Sequence, residues 1–227
     1  MDQAEVARFK RHDYLMLTAA AKARLAASVE LGDARAAAMA AAFFAAEGPV
    51  FGIVRRDSAA KAGEIPVGLV PDTLLEGNRL RIASFVRAPE IAARIEPCEL
   101  LRRAIVPRNR CMQAAAALAQ LPLPKGARLG LLGSAGLEIL TGRPYTNETS
   151  DLDCLIDGAS AGEIAAVYEA LLEIGARYRL DIDLEAALPN GYGIKVKELL
   201  MQTQALLGKS LADVRLLPRG EVLQILK

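Results

Sequence analysis

The chain has no tryptophan, five tyrosines, five phenylalanines and a single histidine, His12, in 227 residues. With aromatics at 4%, the core must be filled by Ala, Leu, Ile and Val. Cysteine is scarce as well: Cys98, Cys111 and Cys154 make an odd count with no C-x-x-C pair. That argues against a disulfide framework and a zinc site, and it fits a reducing compartment. No run of about 18 apolar residues occurs, so no membrane span is expected. The Ala-rich stretch 35–46 comes nearest and reads as a helix. The first residues, MDQAEVARFKRHD, are charged and lack the apolar stretch of a signal peptide, so a soluble cytoplasmic protein is expected. Neither sign of charge is in excess: 28 basic and 27 acidic residues leave a net charge of +1. A dedicated nucleic-acid binder carries a basic surplus, so no nucleic-acid partner is expected. Apolar residues, at 52%, are abundant enough for a substantial core.

The pattern along the chain predicts an α+β protein in two parts, with residues 1–124 as an N-terminal domain and 125–227 as a second. Residues 9–17 lead into a short strand, and Ala19 to Ala46 holds one or two helices. Three β-branched, apolar stretches follow at 50–56, 65–70 and 80–86, separated by turn-forming Gly63 and Gly77-Asn78. They predict an antiparallel sheet with the helices on one face. Residues 97–120 read as helical, with Pro107 breaking or kinking the stretch. Pro122-Leu123-Pro124-Lys125-Gly126 is the stop signal that sets the boundary. The second part predicts strands at 129–132, 151–156, 178–187, 193–196 and 214–217. Its helices are expected at 135–141, 159–174 and 197–207, with Gly142 ending the first. Pro189-Asn190-Gly191 reads as a tight turn.

Three features of the second part carry chemistry. Gly133-Ser134 falls at a strand end just before a helix. Glycine lets a ligand approach the backbone, and the hydroxyl and first-turn N–H groups suit a phosphate. Asp151-Leu152-Asp153 alternates along an apolar strand, so both carboxylates leave the same face. Two like charges so close repel unless a cation lies between them, and Mg²⁺ with hard oxygen ligands is the expected cofactor. Asp181-Ile182-Asp183-Leu184-Glu185 alternates again. Asp183 is the expected third ligand, or the base that takes the proton of an attacking hydroxyl. Each feature has a plainer reading when alone: a helix cap, or a solvated strand face. Their order is far more specific than any one of them. Arg55-Arg56 ends a strand and offers a phosphate-binding cation, with a solvated strand end as the plain alternative. Lys195 and Lys197 can neutralise phosphate or pair with acids across strands. Cys154 points away from the aspartates and reads as core.

Gly-Ser, a helix, then D-x-D on the next strand resembles the nucleotidyltransferase superfamily. The interval between Ser134 and Asp151 is longer than usual in that superfamily. The run GSAGLEILTGRPYTNETSDLDCLI (133–156) resembles the phosphoribosyl-dephospho-CoA transferases of malonate decarboxylase, also called malonate decarboxylase holo-acyl-carrier-protein synthases. The resemblance continues through Arg11-His12-Asp13, Val54-Arg55-Arg56 and Pro66-Val67-Gly68-Leu69. It extends to Asp183-Leu184-Glu185, Pro189-Asn190-Gly191 and Lys197-Glu198-Leu199, and so covers nearly the whole chain. Two departures stand out: members often carry a Trp in the helix after Gly-Ser, and commonly a Gly where Leu184 stands.

The resemblance implies an N-terminal antiparallel sheet with helices, followed by a nucleotidyltransferase-like mixed sheet flanked by helices. It implies an enzyme that moves the phosphoribosyl-dephospho-CoA group from 2′-(5″-triphosphoribosyl)-3′-dephospho-CoA to a serine of the acyl-carrier subunit, releasing pyrophosphate. Asp151 and Asp153 would hold Mg²⁺, Gly133-Ser134 the leaving pyrophosphate, and Asp183 the third acidic role. Arg55, Arg56, His12 and Lys197 would bind substrate, although a lone histidine beside an aspartate also has a purely structural reading. The alternatives are a Mg²⁺-dependent nucleotidyltransferase using an ordinary nucleoside triphosphate, or an inactive carrier-binding partner.

Overall fold

The computed structural model describes residues 8–227, so the first seven residues of the charged N-terminal run lie outside the described residues. The chain divides into two compact units. Unit 1 takes in the described residues up to Glu96 together with Arg143–Tyr145, and unit 2 takes in Pro97–Gly142 and Thr146–Lys227.

Unit 1 begins with β1 (Tyr14–Leu17), α1 (Ala19–Ser28), α2 (Ala34–Ala45), β2 (Phe51–Val54) and β3 (Ile65–Leu69). A small hairpin of β4 (Leu74–Leu75) and β5 (Asn78–Arg79) precedes β6 (Ile82–Val86) and β7 (Ile91–Ile95). The five main strands form one antiparallel sheet in the order β6-β3-β2-β1-β7. Glycine sets one close approach: at Gly52 a Cβ would stand 2.9 Å from Cβ of Val67 on β3. The two helices start where side-chain oxygens accept first-turn N–H groups, Thr18 from Ala21 at 3.2 Å and Asp33 from Ala36 at 2.8 Å. They bury Ala21, Leu25, Ala36, Ala40, Phe43 and Phe44. The segment Arg143–Tyr145 is bound in by Tyr145, whose hydroxyl donates to the Val70 carbonyl at 3.0 Å and whose own carbonyl accepts from Arg79.

Unit 2 opens with a 3-10 turn, Pro97–Arg102, and α3 (Arg110–Leu118). The stretch expected as helical over 97–120, broken or kinked at Pro107, is interrupted, and Pro107 lies in the non-helical part. The 3-10 turn lies against Gly130, where a Cβ would come within 2.5 Å of the Pro97 carbonyl carbon. Next come β8 (Arg128–Leu131), α4 (Gly133–Thr141), β9 (Leu152–Asp157), α5 (Ala161–Tyr178) and β10 (Ile182–Ala187). The chain closes with β11 (Gly193–Lys195), α6 (Val196–Leu200), β12 (Ala205–Lys209), β13 (Val214–Pro218) and α7 (Arg219–Ile225). These six strands form a mixed sheet in the order β13-β12-β11-β10-β9-β8, in which only β9 and β10 run parallel. A parallel pair needs a crossover, and α5 supplies it. Ser160 caps α5 in a reciprocal box with Glu163, and Ile164, Val167, Leu171 and Gly175 form its buried stripe. Thus the α+β class is observed: an antiparallel sheet with helices, then a mixed sheet with helices.

Two expected elements are corrected, and the first is the strand placed over 178–187, which begins only at Ile182 because α5 runs on to Tyr178. The helix predicted over 197–207 stops at Leu200, and 205–209 is a strand. Arg219 donates to the Leu199 and Met201 carbonyls, both at 2.6 Å, and so satisfies the end of the short helix. Pairing of β12 with β13 then outweighs the helical propensity of this stretch.

Candidate functional site

The site builds outward from the corner between β8 and α4. Leu132 donates its N–H to the Asp153 carbonyl at 2.9 Å, which ties the end of β8 to β9. The next residue, Gly133, has φ +58, a conformation that side-chain-bearing residues rarely adopt. A Cβ at Gly133 would sit 3.6 Å from Oδ2 of Asp153, so the carboxylate stands over the glycine that starts the helix. The N-cap position is Leu132, with no side-chain acceptor. Ser134 is the second residue of α4 and is partly exposed.

Asp153 and Asp183 are direct register partners on the parallel strands β9 and β10. Register partners share a sheet face about 4.8 Å apart, so both carboxylates leave the same side. Asp151 stands one residue before β9 and is exposed. The ladder continues past it, because the Leu152 N–H donates to the Asp181 carbonyl at 3.0 Å. Two neighbours report on these aspartates. Cys111 donates its thiol to the Asp151 carbonyl at 3.3 Å. Burial, aided by the charges of Glu138, Asp151 and Asp153, pushes that thiol up from 9.0 to about 12. Lys195 forms an ion pair with Asp183. Since Glu185 and Lys195 are register partners, the lysine rises on the same face.

The long interval between Ser134 and Asp151 is anchored by a buried polar network. Glu138 on α4, 4% exposed, accepts from the Thr146 N–H at 2.7 Å and from the Thr146 hydroxyl at 2.8 Å. Arg108 pairs with the same carboxylate at 2.9 Å. Asn109 donates to the Thr146 hydroxyl at 2.9 Å while its own oxygen caps α3. Sequence reasoning passed over these residues. The available signals were an acid inside the apolar run GLEIL and an asparagine just before a helix.

A cleft of about 980 Å³ opens in unit 2 beside the acidic strands, lined among others by Arg110, Asp151, Asp181, Asp183, Lys195 and Lys197. The structure therefore brings Asp151, Asp183 and Lys197 to one cleft, and Gly133 to Asp153. Among the described residues no group of three or more His, Cys, Asp or Glu side chains is gathered as a ready-made metal site. Two carboxylates facing one side nevertheless suit Mg²⁺, which takes one or two protein carboxylates and completes its shell with water and substrate phosphates.

The other expected substrate residues belong to unit 1. His12 has φ +70 and sits in a tight turn, its N–H donating to the Val54 carbonyl at 2.9 Å. Its ring Nε2 is 2.6 Å from an Arg11 guanidinium nitrogen. Arg55, next after Val54, pairs with Asp57 at 3.0 Å, and Arg56 is exposed. The neighbouring Asp13 is 1% exposed and held by Arg94 at 2.6 Å. Burial raises the Asp13 carboxyl, against the pull of Arg94 and the Lys10 N–H. Cys98 and Cys154 are buried, as is Cys111, and burial drives the Cys154 thiol upward too.

The mixed sheet thus sets its strand–Gly-Ser–helix corner beside Asp153, whose register partner on the neighbouring strand is Asp183. Comparison with known proteins assigns the family. Residues 10–97 match the family model described as the phosphoribosyl-dephospho-CoA transferase MdcG N-terminal domain, and residues 99–220 match that of its C-terminal domain. Proteins from two strains of Xanthomonas campestris pv. campestris, each named phosphoribosyl-dephospho-CoA transferase, are similar to this chain. Each is 31% identical over 179 residues, covering 78% of this chain and 82% of the relative. No solved structure matches it. The chain belongs to the phosphoribosyl-dephospho-CoA transferase family, and its class of activity is phosphoribosyl-dephospho-CoA transfer.

Proposed function

We propose that the donor is 2′-(5″-triphosphoribosyl)-3′-dephospho-CoA and the acceptor a serine of the malonate decarboxylase acyl-carrier subunit, with pyrophosphate released. The observation that supports this reading best is the register pairing of Asp153 with Asp183 beside the Gly133 corner. In the reaction the serine oxygen bonds to the phosphorus nearest the ribose, and the bond from that phosphorus to the pyrophosphate oxygen breaks. The serine proton leaves to a base. Asp183 fills that role, on the face it shares with Asp153, with Lys195 paired to it.

Such a displacement relies on positioning and charge neutralisation more than on covalent chemistry. Asp151 and Asp153 are the residues that would hold Mg²⁺, whose charge offsets that of the triphosphate. Ser134 and the first-turn amides of α4 receive the leaving pyrophosphate, favoured by the positive end of the helix dipole. Lys197 adds a cation for the remaining phosphates. Three buried free thiols fit a reducing compartment such as the cytoplasm.

The test is the intact mass of the purified carrier after incubation with enzyme, donor and Mg²⁺. A gain equal to one phosphoribosyl-dephospho-CoA group, located on a serine, is the expected result. A gain of AMP from ATP would replace this reading with nucleoside-triphosphate chemistry. Carrier binding without any mass gain would replace it with a non-catalytic role.

A further inference from the structure

Arg110 is the first residue of α3, directly after its cap Asn109, and it lines the cleft that holds Asp151, Asp183 and Lys195. Its Nε is buried and has no hydrogen-bond partner, the only such side-chain atom found among the described residues. A buried donor left unanswered costs free energy, more so when it belongs to a charged group. Four acidic side chains line the same cleft: Asp151, Asp181, Asp183 and Glu198. None of them accepts from this Nε, and Asp183 is engaged by Lys195.

We infer that Arg110 is a substrate-binding residue whose guanidinium edge grips a phosphate of the polyphosphate donor within this cleft. The guanidinium presents Nε–H and one Nη–H as a parallel pair, matched to two oxygens of a single phosphate. Arg110 is half-buried, and a phosphate that turns its guanidinium toward the cleft can take both protons, so binding turns an unsatisfied donor into a bidentate contact. Lysine cannot reproduce this, because it offers a point charge without the fork. The inference rests on the donor being a polyphosphate bound beside the aspartates, and it adds a residue that the sequence motifs do not include.

Binding of inorganic tripolyphosphate to the full chain, with Mg²⁺ present, can be measured by titration calorimetry for wild type, R110K and R110Q. We expect R110Q to weaken binding about tenfold or more and R110K to fall between. The KM for the triphosphoribosyl donor should rise in parallel, with a smaller change in kcat. The melting temperature separates ligand from structural roles: removing an unsatisfied buried donor leaves it unchanged or raised, whereas a structural arginine would lower it. Unaltered tripolyphosphate affinity and KM in R110Q would overturn the inference, as would wild-type protein that binds no tripolyphosphate. If R110Q weakens tripolyphosphate binding but the wild type modifies no carrier, Arg110 stands and the proposed acceptor falls.

Discussion

Asp151 and Asp153 differ in setting although they are two residues apart. Asp151 is exposed and lines the cleft, while Asp153 stands over Gly133 within the sheet face. Replacing Asp151 by Asn removes charge without changing shape. Transfer should drop about a hundredfold or more, the scale on which a charge-stabilising group matters, with the melting temperature unchanged. Near wild-type transfer in D151N at saturating Mg²⁺ would remove that residue from the site. Cys111 gives a second measurement at this scale. Its folded thiol ionises near 12 against 9.0 ordinarily, so the unfolded chain releases the proton first as pH rises. The stabilising effect is complete below about 9 and is lost as pH climbs toward 12, by about 1.4 kcal/mol per pH unit for one thiol. Urea unfolding of C111A should therefore show a shallower loss of stability across this range than wild type. Equal slopes would mean that the thiol is not shielded.

The parts of the site legible in the sequence were those written in short-range pattern. Alternation along a strand grouped Asp151 with Asp153 and Asp181 with Asp183, whereas the structure keeps only Asp153 and Asp183 inside strands, with Asp151 and Asp181 one residue before β9 and β10; a glycine before a helix marked the corner at Gly133. The pairing of Lys195 with Asp183 was offered only as one of two readings, because it depends on β11 returning beside β10. Arg110 carries no motif at all; its meaning comes from a buried nitrogen that only the folded chain reveals.

At the scale of elements, α4 does two jobs. Its first residue meets Asp153, and its Glu138 holds the segment that leads to Asp151. Glu138 is almost fully buried and accepts from Arg108 and Thr146, so E138Q turns one of its two acceptor oxygens into an amide nitrogen that faces donors. We expect a stability loss of about 1.5–3 kcal/mol in urea, with faster hydrogen exchange at the Thr146 amide and reduced kcat. Unchanged exchange at that amide would show that Glu138 does not hold the segment. Element types were readable where propensity and burial agreed, as in α5 with its box at Ser160 and Glu163. They misled at 197–207, where helix-forming residues are drawn into the β12–β13 pair. The strand Ile91–Ile95 was not among the expected elements.

At the scale of the molecule, the two compact units meet in sequence at Glu96 and Pro97, and the two family models meet at the same place. Arg143–Tyr145, within the interval between Ser134 and Asp151, belongs to unit 1, so the chain joins the units more than once. Among the described residues no helix is long and apolar enough to cross a membrane. The paired aspartates, the helix corner and the cleft with Arg110 all belong to unit 2, and the substrate residues expected from Arg55, Arg56 and His12 belong to unit 1.

The most direct test of this account is the rate of carrier modification against Mg²⁺ concentration, measured by intact mass for wild type and D153N. Wild type should show saturable dependence on Mg²⁺ and no transfer in EDTA. D153N should keep its melting temperature yet lose transfer at every Mg²⁺ concentration. Transfer by D153N at the wild-type rate, or by wild type in EDTA, would contradict a site built on these carboxylates.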